Sequence, residues 1–67
     1  MLVMAKKPQP LTPERIRTIR KAAELTQAEA AEKVGVTQGV WSDWERGTKR
    51  PSRQSQLLIR MLSEKIL

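Results

Sequence analysis

The chain has no cysteine and no histidine. Their absence removes disulfides, thiolate nucleophiles, imidazole bases and the usual zinc ligands together, so neither a metal site nor a cofactor is expected. Only seven acidic residues are present, and no nucleophile stands with a base to serve it, so an enzyme is not expected. Long apolar runs are missing too: none approaches the roughly 18 residues needed to span a bilayer. The opening Met1–Ala5 is apolar but short, and Lys6 and Lys7 follow it rather than precede it, which is not the order of a signal peptide. A cytoplasmic protein without membrane contact is the expectation.

What is present is positive charge. Against the seven acids stand 13 Lys and Arg, for a net charge of +6 on 67 residues. Such a balance suits a domain that meets a polyanion, although many small proteins are basic without doing so, and the placement of the charges matters more. The length accommodates one small domain with a modest core. Residues 1–11 hold two lysines and two prolines around Gln9, a composition that resists helix and predicts an extended basic arm; residues 12–67 are the expected folded domain.

Within that domain the pattern is all helical. Thr12, Pro13 and Glu14 supply a capping hydroxyl, a proline at the first helical position and an acid in the first turn, so a first helix is predicted from there to about Ala23. Its inner stripe is Ile16, Ile19 and Ala23, continued by Leu25, while Arg15, Arg17 and Lys21 lie on a solvated outer face. Thr26 with Glu29 three residues on is a capping box, and Gly35 can take the positive φ that ends the second helix, predicted over about Gln27 to Val34. Thr37 caps a third helix that begins at Gln38 and fades near Arg46, where Gly47 supplies a stop. Residues 30, 34, 36, 41 and 44 then point at one another. Gln38, Gly39, Ser42 and Asp43 are left outward, in a row that could enter a groove. The expected core is Ile16, Ile19, Ala31, Val34, Val36, Trp41, Trp44, Leu58 and Leu62, with the two indoles filling volume that Ala23 and Ala30 leave open.

Arg46 to Arg53 contains four positive residues and no acid, which makes this loop a candidate phosphate clamp rather than only a solvated turn. A fourth helix is predicted from near Ser52 to the C-terminus. Its apolar residues cover about 200° of a helical wheel, whereas roughly 100° suffices to pack on one core. The excess, chiefly Ile59 and Ile66, is the expected interface with a second subunit.

These residues resemble a known family, the lambda-repressor-like helix-turn-helix proteins of the Cro and XRE type. The resemblance covers residues 12 to 66 and rests on TQAEAAEKVGVTQ followed by WERGTKRPS; the WSDWERG...RPS wording is also similar to the DNA-binding domains of certain type II antitoxins. It implies a compact domain of four to five helices with the helix-turn-helix at the second and third. It also implies that Gln27 anchors a phosphate, that Gln38 reads a base, and that Thr37, Arg46, Lys49 and Arg50 hold the backbone. The family pattern places an Arg and an acid where Arg20 and Glu45 stand, which predicts an ion pair. The KKP-x-P-LT stretch is similar to the arm of lambda-type repressors and implies added contacts from Lys6 and Lys7. Independently, helix N-termini favour phosphate and Gln can bond adenine bidentately in the major groove.

Three departures stand out. The family usually has glycine near Glu24 and leucine near Ala30, so the first turn and that part of the core are expected to be solved differently. Gly39 removes one reading side chain. Asp43 replaces a more usual neutral or basic reader; near phosphates it is repelled, yet it can accept from cytosine N4. The resulting expectation is a sequence-specific regulator binding double-stranded DNA as a homodimer, in the manner of a repressor or autoregulating antitoxin. The alternative is a protein-interaction module that docks on a partner such as a toxin, with DNA contact secondary.

Overall fold

A computed structural model describes residues 11–63. They form four helices, α1 (Pro13–Ala22), α2 (Gln27–Val34), α3 (Gln38–Arg46) and α4 (Arg53–Ser63), with no strand among them. The expected arm, including Lys6 and Lys7, and the expected interface residue Ile66 lie outside the described residues.

Each start is set by a local hydroxyl. Thr12 accepts from the Arg15 N–H at 3.1 Å, Thr26 from Glu29 at 3.1 Å and Thr37 from Val40 at 3.3 Å. At α2 the box closes in both directions, because the Thr26 N–H donates to the Glu29 carboxylate at 2.9 Å. Each such cap is worth about 1 kcal/mol by satisfying amides that the helix cannot.

The ends share one device. In each of the first three helices a residue in the left-handed region lets two later amides turn back onto the last carbonyls, the Schellman arrangement. Gly35 at φ 80° and Gly47 at φ 82° do this after α2 and α3. After α1 it is Glu24 itself, at φ 59°, with its own N–H on the Lys21 carbonyl at 2.9 Å and the Leu25 N–H on that of Arg20 at 3.2 Å. The first turn thus closes on a non-glycine residue in the left-handed region, at a cost of about 1 kcal/mol.

The core gathers Ile16, Ile19, Ala30, Ala31, Val34, Trp41, Trp44 and Ile59, with Leu11, Leu25, Val36, Val40, Leu58 and Leu62 partly buried against it. Both indoles are interior, Trp41 completely, with ring centroids 5.5 Å apart and planes tilted by 54°. Ala30 is fully buried with them, whereas Ala23 is only half-buried. Ile59 corrects an expectation: it is 0% exposed, a core residue and not an interface residue. The arc of apolar residues on α4 is wide, but α4 packs on α1 and α2, and Ile59 joins the core cluster that Ile16, Ile19, Ala30 and Ala31 of those helices form. The uncovered part carries Leu57 and Met61, 59% and 64% exposed, one turn apart.

Candidate nucleic-acid interface

The buried face of α3 is Trp41, Trp44 and Glu45. At 100° per residue Gly39, Asp43 and Arg46 lie opposite that face, while Gln38 and Ser42 lie along its Glu45 side, in a row with Arg46 at spacings of four. Gln38, Gly39 and Arg46 are exposed, and Ser42 and Asp43 half-exposed. Arg46 therefore belongs to the same outward row as the candidate readers rather than lying beyond it. Gly39 is not required by packing, since a Cβ there would meet nothing closer than the Thr37 hydroxyl at 3.9 Å.

Glu45 holds this face at a fixed angle. Its carboxylate is buried and receives Arg20 Nε at 2.6 Å and Nη2 at 3.2 Å, Gln27 Nε2 at 3.0 Å and the Trp41 indole N–H at 2.6 Å. Arg20 also donates to the Leu25 carbonyl at 3.0 Å, tying the turn between α1 and α2 to the same cluster. One acid thus links α1, α2 and α3. Burial pushes the Glu45 carboxyl up, but hydrogen bonds from Arg20, Trp41 and Gln27 outweigh it and bring it down from 4.5 to about 2. Among the described residues no buried side-chain polar atom lacks a partner.

Two residues make contacts with Glu45 that the sequence does not announce. Gln27, expected as a phosphate anchor, donates its side-chain amide to Glu45 Oε1 at 3.0 Å, a carboxylate whose two oxygens Arg20 also reaches. Arg17, assigned to the solvated face, brings Nε within 3.6 Å of Glu45 Oε1 while its side chain stays 51% exposed. The available signal for Arg17 was its spacing of three from Arg20, which puts both on one face of α1.

The remaining candidates are placed as follows. Thr37 spends its oxygen on the Val40 amide, which leaves its own O–H free to donate. Asp43 accepts from Arg46 at 2.5 Å and has Lys49 Nζ at 3.9 Å. The Arg46 hydrogen bond holds the Asp43 carboxyl below its ordinary value. Arg50 is exposed and, among the described residues, has no acidic partner. Leu11 lines a groove with Lys49, Arg50 and Pro51, so the chain enters the domain beside the basic loop.

No group of metal-ligating side chains occurs among the described residues, and no described helix is long and apolar enough to cross a membrane. Two short helices crossing through a glycine turn, with a polar row on the second, define a helix-turn-helix. Comparison with protein families agrees: residues 14–62 match the family described as helix-turn-helix domain. The chain belongs to that family of DNA-binding domains, consistent with the lambda-repressor-like resemblance. No curated protein sequence matches it.

Proposed function

We propose that this domain is a sequence-specific transcriptional regulator that lays α3 in the major groove of double-stranded DNA. The observation that carries this reading is the row Gln38, Ser42 and Arg46 along α3, exposed at Gln38 and Arg46 and half-exposed at Ser42, on a helix whose buried face is locked by two indoles and Glu45. A helix of nine residues is about 13 Å long, and its diameter suits a groove about 12 Å wide. Gln38 and Ser42 supply base contacts. The Thr37 hydroxyl, the first amides of α2 and α3, and Arg50 supply phosphate contacts at the rim. Lys6 and Lys7 are five and four residues before Leu11, within roughly 18 Å of chain, so they can reach phosphates near the basic loop.

A homodimer would place two copies of α3 about 34 Å apart on a near-palindromic operator. With Ile59 interior, the large apolar side chains that α4 exposes among the described residues are Leu57 and Met61. That pair also favours the second reading, a module docking on a partner protein such as a toxin. Selection of bound duplexes from a random pool tests the main reading: a recovered motif with two related half-sites is expected. Failure to enrich any sequence, with binding indifferent to salt, would reject it. Sedimentation of the Leu57→Glu variant separates the two uses of α4, because a dimer that becomes monomeric identifies self-association.

A further inference from the structure

Asp43 lies on the outward face of α3 beside the candidate reading row, yet its side chain is only 22% exposed because cations cover it. Arg46 donates to Oδ1 and Lys49 stands 3.9 Å from Oδ2. The second contact is built by the backbone. The Asp43 carbonyl accepts from the Thr48 and Lys49 N–H groups at 3.0 and 3.4 Å and from the Thr48 hydroxyl at 3.3 Å, so the turn at Gly47 folds the loop onto the carboxylate. Arg46 and Lys49 are otherwise 63% and 64% exposed, next to Arg50 on the surface that would meet phosphate. A carboxylate offers these cations the same pair of anionic oxygens that a phosphate does.

We propose that Asp43 is an intramolecular competitor for the DNA backbone. Its carboxylate occupies Arg46 and Lys49, so a duplex of arbitrary sequence gains those cations only by displacing it. Affinity for arbitrary DNA is thereby lowered, and discrimination is left to contacts with base edges. This rests on the DNA-binding function proposed above. The strength is suitable, because an exposed ion pair shifts an equilibrium by about fivefold at most, enough to bias the cations without withholding them permanently.

The test uses the full chain and a labelled mixed-sequence duplex about two helical turns long, titrated by fluorescence anisotropy over a series of salt concentrations. Asp43→Asn, which keeps the backbone turn, is expected to bind several-fold more tightly. Its plot of log affinity against log salt should steepen by up to about 1.8, the value for two added phosphate contacts. Glu32→Gln removes a negative charge that is exposed and forms no ion pair, and should change affinity by less than about twofold. Arg46→Ala should cost little in the native chain and several-fold in the Asp43→Asn background. Unchanged affinity and slope for Asp43→Asn, an equal gain from Glu32→Gln, or equal costs of Arg46→Ala in both backgrounds would each overturn the competitor while leaving DNA binding intact. A native chain that binds no duplex at any salt concentration would instead overturn the proposed function, and the competitor with it.

Discussion

Replacing Glu45 with alanine should be the most damaging single change on the surface-to-core boundary of this domain. The carboxylate is 2% exposed and holds side chains from three helices. Its loss leaves Arg20, only 14% exposed, without its counter-ion and the Trp41 indole N–H without an acceptor. Breaking a buried pair from one side costs about 3 to 5 kcal/mol. The lowered carboxyl, brought down from 4.5 to about 2, agrees in sign: the folded state favours the charged form of Glu45. A domain of this length has a total stability of roughly 3 to 10 kcal/mol, so a third or more of it is at stake. Since each kcal/mol moves Tm by about 4 to 8 °C in small domains, far-UV circular dichroism should show a drop of at least about 12 °C. Glu32→Ala, at an exposed position, should stay within about 0.5 kcal/mol. The pH dependence has a definite sign. The folded carboxyl lies below its unfolded value, so its contribution is complete above about pH 4.5 and is lost as pH falls towards about 2. Glu45→Gln should flatten that part of the stability profile. Equal melting temperatures for Glu45→Ala and Glu32→Ala, or an acid profile unaltered in Glu45→Gln, would refute the reasoning.

Four further outcomes follow from particular positions. Glu24→Gly should stabilise by about 1 kcal/mol, because glycine adopts φ 59° without the Cβ penalty; a lower Tm would show that the Glu24 side chain contributes more than its strain costs. Ile59→Ala should cost about 2 to 5 kcal/mol in chemical denaturation, as a fully buried residue does, with no specific effect on sedimentation at temperatures where the variant is folded. Gln38→Ala should relax base preference at one position per half-site by about 1 to 3 kcal/mol in repeated selection. Arg50→Ala should instead weaken binding to all duplexes alike and reduce the salt slope by about one unit, and a change in the selected motif would contradict its role as a phosphate contact.

How much of this was legible in the residue order differs by element. Thr12, Thr26 with Glu29, and Thr37 announce three helix starts, and Gly35 and Gly47 two of the ends; these are the bounds the structure has. The spacing of Trp41 and Trp44 put them on the apolar face, and both are buried. The left-handed residue that closes the first turn is not visible in the sequence, because Glu24 is not a glycine. Its penalty is small, and the Arg20 guanidinium on the Leu25 carbonyl helps hold the turn.

The site was less legible. That Asp43 and Arg46 lie opposite the buried face of α3 follows from helical periodicity, but Asp43 being already covered by Arg46 and Lys49 depends on how the loop after Gly47 folds back. The contact of Gln27 with Glu45 is likewise absent from the sequence pattern, since it forms only when α3 packs beside α2.

Residue order alone therefore determined the helices, their caps, the basic loop and the outward row, because the hydrogen bonds that cap a helix close within about four residues and periodicity needs no partner. Tertiary structure decided which part of the apolar arc of α4 is covered, burying Ile59 and leaving Leu57 and Met61 out. It also decided which donors converge on Glu45, since Arg20 and Gln27 lie 25 and 18 residues from it and meet it only once the crossing of α1, α2 and α3 is set. A helical wheel gives the width of an apolar face; its covering depends on where the neighbouring helices pack.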